Sequence, residues 1–151
     1  MIVIHHNKDL DGFSSGAICK LKYPDAKLIG WDYSDPIPDF EQFRNEDIVM
    51  IDVTFPLYNL EKLSQICNLI IVIDHHISFK KEFEQTYINY ADAPFTYIYE
   101  SDKAACETGW KYLFPNENIP YAITLIGRYD TWRKEEGNWE KETLPFKYYM
   151  Y

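Results

Sequence analysis

Short apolar runs recur along this chain, and each breaks off in polar or charged residues at its C-terminal side: IVIHHNKDLDG from residue 2, IVMIDV from 48, LIIVIDHH from 69 and LIGRYD from 125. The first three are continuous and rich in β-branched residues, the pattern of strands buried on both faces. Residues 2–6 therefore predict a first strand. Residues 14–23 predict a helix behind it, with Gly12 at the turn and a proline just past its end. A short strand at 26–31, a Pro-rich loop at 35–39 and a strand at 47–53 follow. Apolar residues at Leu57, Leu60, Leu63 and Ile66 keep helical spacing over 57–67 and lead into a strand at 69–73. Strands alternating with helices imply right-handed crossovers. The expected fold class is α/β, a mostly parallel sheet flanked by helices in a single catalytic-type domain.

From residue 80 the texture changes. Residues 86–90 predict an added strand and 95–99 a weaker one. Helices are expected at 103–114 and 121–128, the second begun by Pro120. The tail ETLPFKYYMY is aromatic, so it is expected either to pack back or to open a connector. The domain is accordingly placed at 1–140, with 141–151 as tail or connector to a second domain.

With 151 residues, 46% of them hydrophobic, the chain suffices for one domain that buries about two-thirds of its unfolded surface. No apolar run approaches the roughly 20 residues of a membrane span. The N-terminus lacks the basic and small-residue signature of a signal peptide, which points to the cytoplasm. Cys19, Cys67 and Cys106 are widely spaced without a CxxC pair and read as reduced thiols. A net charge of −9 argues against gripping long nucleic acid, whose affinity comes from Lys and Arg on phosphates. Small phosphate substrates remain open, and a homodimer is allowed for.

The polar residues that end the runs carry the chemistry. In an open α/β sheet, ligands bind in the crevice outside the strand carboxyl ends. Converging there, His5, Asp9, Asp11, Asp52, Asp74, His75, His76 and Asp130 would crowd carboxylates that cannot all stay ionised unless cations lie between them. Carboxylate and imidazole donors suit Mn²⁺ or Mg²⁺ better than a structural zinc. His6, next to His5 on a strand, should point to the opposite side and pack or hydrogen-bond. Arg128 and Lys8 are candidate phosphate contacts. Tyr97, Tyr99, Trp110, Tyr112 and Tyr129 are expected in the core or at a domain interface, and Trp132 is the candidate for stacking on a base.

H-x-N-x-D-x-D-G at 5–12, Asp52, the DHH tripeptide at 74–76 and D-T at 130–131 together resemble motifs I to IV of the DHH phosphoesterase superfamily. That group includes RecJ-type exonucleases, nano-RNases, cyclic-dinucleotide phosphodiesterases and family II pyrophosphatases. The resemblance implies two divalent ions, one on His5, Asp9 and Asp52, the other on Asp11, Asp52, His75 and Asp130. Asn7 stands where RecJ-type members carry Asp, which points away from a processive exonuclease. Family enzymes commonly continue into a second, substrate-gripping domain.

The expected activity is hydrolysis of phosphodiester bonds in short oligonucleotides or cyclic nucleotides by a two-metal-activated water. Asp74 would orient a ligand, and His76, with Arg128, would act on the substrate. A pyrophosphatase-like hydrolase and a metal-binding interaction module are the alternatives.

Overall fold

The computed structural model describes residues 1–150. Five strands, β1 (Ile2–His6), β2 (Lys27–Trp31), β3 (Asp47–Ile51), β4 (Leu69–Ile73) and β5 (Thr96–Ile98), form one sheet in the order β2-β1-β3-β4-β5, every pair parallel. Six α-helices accompany it: α1 (Leu10–Lys22), α2 (Leu57–Leu63), α3 (Ile77–Thr86), α4 (Ala105–Leu113), α5 (Tyr121–Asp130) and α6 (Leu144–Met150). The expected α/β architecture is thus the observed one.

Strand alternation divides the core in two. Ile2, Ile4, Ile48, Met50, Ile70 and Val72 pack with Leu57, Leu60 and Leu63 of α2 and Phe79 and Phe83 of α3. Val3, Val49, Ile51 and Ile73 pack on the other face with Ile18 and Cys19 of α1, Cys106, Trp110 and Leu113 of α4, and Ile126 of α5. From β1 the chain turns to β2 on one side, while β3 lies on its other side. The strand order therefore reverses between β1 and β3, the place where such sheets open a crevice.

Three elements differ from the sequence expectation. Helix α1 begins at Leu10, not at residue 14, so Gly12 lies in its first turn instead of a loop. A Cβ there would come within 2.3 Å of the His6 carbonyl oxygen, so only glycine lets this turn press on the end of β1. The strand expected at 86–90 does not form, and residues 77–86 before it make α3. Phe79 and Phe83, four apart, are both buried and set its helical face. The chain then passes through a short 3₁₀ turn at Tyr90–Asp92 before β5.

The tail packs back on the domain. A π-helical turn at Trp139–Thr143, with Trp139 and Thr143 buried, runs into α6, and Phe146 joins the core face of α1, α4 and α5. The expected boundary at 140/141 falls inside this turn, and Tyr151 lies outside the described residues. Among the described residues no helix is long and apolar enough to cross a membrane.

Candidate metal centre

The carboxyl ends of β1, β3 and β4 deliver the acidic and imidazole residues to one place. Asp9 is the N-cap of α1: its Oδ1 accepts from the Gly12 N–H at 2.8 Å, which leaves Oδ2 to face the crevice. Asp11 follows in the first helical turn and is almost fully buried. Its two carboxylate oxygens accept the Ala105 and Cys106 N–H groups at 2.9 and 2.7 Å, capping α4 across 94 positions of sequence. Such donors favour a charged carboxylate, yet burial, followed by the charges of Asp52 and Asp130, holds the Asp11 carboxyl well above the usual range.

Asp52 sits immediately after β3 in the left-handed region, φ 60°, a conformation that costs a non-glycine residue of order 1 kcal/mol or more. The turn throws its side chain between two clusters. Oδ1 lies 3.2 Å from His75 Nε2, and Oδ2 lies 3.5 Å from His6 Nδ1. His6 Nδ1 is also 2.9 Å from Asp9 Oδ2, and His75 Nε2 is 3.4 Å from Asp130 Oδ2 and 3.6 Å from Asp11 Oδ2. His6, Asp9 and Asp52 therefore form one group of converging donor atoms. Asp11, His75 and Asp130 form another, and Asp52 touches both.

Electrostatics reflect the crowding. Asp52 hydrogen-bonds push His6 up to about 11, with Asp9 and Asp32 contributing. Burial would raise Asp52, but hydrogen bonds from His6 and His75 outweigh it and hold the carboxyl below its ordinary value. His75 is raised: desolvation opposes the charge, and Asp52, Asp11 and Asp130 together overcome it. Burial raises Asp130, which also closes the last turn of α5, the end of a helix where a negative charge is least welcome.

The histidine placement departs from the motif spacing in two ways. His5 does not reach the cluster. It shares a sheet face with Val3, where its ring lies against Gly16 and 6.2 Å from Phe13, and its Nδ1 is 2.9 Å from the His6 carbonyl oxygen. His6, expected to pack, takes the place by the cluster instead. Strand alternation dictates that neighbours part, and the side on which α1 docks decides which of them faces the crevice. His75 and His76 were expected to face apart, yet their rings are 4.7 Å from each other and both lie within ligand distance of Asp52. Strand β4 ends at Ile73, so the period of two no longer applies.

Asp74 is buried and receives both the His75 N–H at 3.0 Å and His76 Nδ1 at 2.6 Å, the latter raising the His76 pKa. Arg128 is directed away from the cluster: its Nη1 is 3.5 Å from Glu142, and its guanidinium lies 5.7 Å from the Tyr121 ring centre. Trp132, 62% exposed and at φ 54°, stands two residues beyond Asp130 in a group with Tyr129 and Trp139. Tyr97 and Trp110 are buried, and Tyr112 is exposed.

The sequence reading missed three supporting residues. Asp32, after β2, takes His6 Nε2 at 3.1 Å, and Ser34, then His6, keep its carboxyl low, at about 2. Its signal was a third acidic residue just beyond a strand end. Glu107 and Arg133 form an ion pair beneath α4 and α5, with side chains 3% and 9% exposed. Nothing in their spacing links residues 107 and 133. Glu107→Ala should destabilise the protein by about 3 kcal/mol, the low end for breaking a buried pair, because Arg133 keeps Glu136 at 2.9 Å. Urea unfolding measures this, and a loss below about 1 kcal/mol would show the pair to be unimportant.

Comparison with known proteins supplies the family. The family model described as "DHH family, N-terminal domain" matches residues 1–127. "Uncharacterized protein R106" of Acanthamoeba polyphaga mimivirus is 24% identical over 147 residues, which cover 87% of this chain and 33% of that protein, so the chain spans about a third of that relative. No solved structure matches. With a match over most of its length and with Asp9, Asp11, Asp52, His75 and Asp130 converging at the sheet's switch point, the chain belongs to the DHH family of metal-dependent phosphoesterases through that family's N-terminal domain.

Proposed function

We propose that the protein is a two-metal phosphodiesterase acting on short oligonucleotides or cyclic nucleotides. One observation carries the reading: His6 Nδ1 meets Asp9 Oδ2 at 2.9 Å and Asp52 Oδ2 at 3.5 Å, and Asp52 reaches on to His75, so carboxylates and imidazoles crowd into one partly buried group. Carboxylates gathered at one partly buried place repel one another unless positive charge lies between them. A divalent cation would replace the proton held between His6 and these carboxylates and satisfy the donors together.

The donor set fits hard divalent ions such as Mn²⁺ or Mg²⁺, being all carboxylate and imidazole. His6, Asp9 and Asp52 would hold one ion; Asp11, Asp52, His75 and Asp130 would hold the other. Such ions, when bound, supply an activated water and neutralise phosphoryl charge. The chain's own residues prepare the rest. Asp32 on Nε2 turns His6 so that Nδ1 meets the crevice, and the α4 amides fix Asp11. Asp74 holds Nδ1 of His76, so Nε2 is the atom left to carry a proton towards a leaving oxygen.

The favoured substrate is small because the chain bears 24 Asp and Glu against 15 Lys and Arg. A pyrophosphatase-like reading needs several cations around a compact polyanion, and Arg128 and Arg133 are paired with Glu142 and Glu107. Initial rates with added Mn²⁺ on a dinucleotide and on a long single strand, at equal phosphodiester concentration, test the proposal. The dinucleotide should be faster. Preference for the long strand would defeat the small-substrate reading, and turnover of neither would favour a metal-binding module.

Metal binding should also strengthen with pH. His6 and His75 have raised pKa values in the metal-free cluster, and an imidazole ligates only after losing its proton. Below those raised values each displaced proton weakens apparent affinity about tenfold per pH unit. Affinity is therefore lowest in acid and climbs through neutrality. Calorimetry of Mn²⁺ binding in buffers of different ionisation enthalpy should register proton release, whereas a buffer-independent heat would contradict the assignment of these imidazoles.

A further inference from the structure

Beside the imidazole side of the cluster lies a cleft with no part in holding metal. Tyr33, Phe55, Pro56, Ser78, Phe79 and Glu82 line most of it. Its volume is about 220 Å³, below the roughly 300–1,000 Å³ of pockets for larger ligands, so it admits a single flat ring system. Phe55 and Phe79 are buried and give it an apolar floor, while Tyr33 is half exposed. The Tyr33 ring also lies 5.8 Å from the His76 ring, edge-on, and 6.2 Å from the His6 ring. One wall is thus shared between cleft and cluster.

Ser78 and Glu82, four residues apart on α3, share the helical face at the rim. The Glu82 carboxylate makes no ion pair or hydrogen bond among the described residues. A carboxylate accepts hydrogen bonds only, and two adjacent N–H donors match it best. Among the common bases guanine alone offers such a pair, N1–H beside the 2-amino group. Adenine and cytosine set a ring acceptor beside their amino group, and uracil flanks its N–H with two carbonyls.

We propose that this cleft is a guanine-binding subsite, stacking the base against Tyr33 with its donor edge towards Glu82. The proposal rests on the nucleotide-hydrolase reading above and gives it a base preference. Stacking on an aromatic ring supplies affinity for any base, and the charge-assisted hydrogen bonds supply the choice.

A nucleoside carries no phosphate, so the cleft can be tested apart from the metals. Metal-free, ¹⁵N-labelled protein titrated with guanosine should show saturable amide shifts centred on Tyr33, Ser78 and Glu82. Adenosine should bind more weakly. Glu82→Gln should weaken guanosine about tenfold, the size of one charge-assisted hydrogen bond, and Ser78→Trp, which fills the rim, should abolish the shifts. With Mn²⁺, Ser78→Trp should raise KM for a guanosine dinucleotide about tenfold and leave turnover of the same dinucleotide lacking both bases unchanged. Absence of saturable shifts in the cleft, or equal affinity for guanosine and adenosine, would overturn the subsite. Guanosine bound in the cleft with neither ester hydrolysed would uphold the subsite and sink the phosphodiesterase reading instead.

Discussion

Asp52→Asn should leave the protein folded yet cut phosphodiesterase turnover by more than about 100-fold, beyond what losing an outer partner of a metal ligand costs. The carboxylate belongs to both donor groups, Oδ1 towards His75 and Oδ2 towards His6, so its loss weakens two sites where any other substitution weakens one. Asparagine is the informative replacement because residue 52 holds φ 60°. Asparagine visits that left-handed region readily, whereas alanine would add backbone strain to the loss of charge. Elemental analysis of the Mn²⁺-loaded variant should find fewer than two ions per chain, with a melting temperature near that of the metal-free parent. Two retained ions and normal turnover would place the chemistry elsewhere.

His6→Ala and His5→Ala should have opposite consequences. His6 Nδ1 faces Asp9 and Asp52 while Nε2 is held by Asp32, so its removal should lower Mn²⁺ affinity and turnover together, by more than tenfold, an outer partner alone being worth roughly 10–100-fold. His5, 8% exposed with its ring on Gly16 of α1, should cost about 1–3 kcal/mol of stability and keep both ions. Paired measurements of Mn²⁺ stoichiometry and urea midpoint separate them. If His5→Ala lost an ion while His6→Ala kept both, the placement of β1 against α1 would be reversed.

Much of the site was legible because its residues end apolar runs. Asp9, Asp52, His75 and Asp130 lie within four residues of the end of β1, β3, β4 or α5, and parallel strands bring all their carboxyl ends to one edge. The capping role of Asp11 was not legible, since its partners, the first amides of α4, lie 94 and 95 positions away. Arg128 misled for a related reason. A cation two residues before Asp130 looks close to the site, yet Glu142 from the tail claims it.

By itself the sequence determined that the sheet is mostly parallel, because continuous β-branched runs separated by amphipathic segments bury both faces as parallel strands between helices, while the order of the strands came from the tertiary structure. It also determined the donor chemistry, since carboxylates and imidazoles stand at the run ends whatever the packing. The tertiary structure decided which donors meet. Whether His5 or His6 faces the crevice depends on the face where α1 docks. That His76 joins His75 follows from β4 ending one residue before the DHH tripeptide, and the helical start at Leu10 turned a supposed loop into a capped first turn. These outcomes rest on long-range contacts, and no local spacing encodes them: alternation and helical period give only relative directions, and the absolute direction comes from the neighbour against which each element is buried.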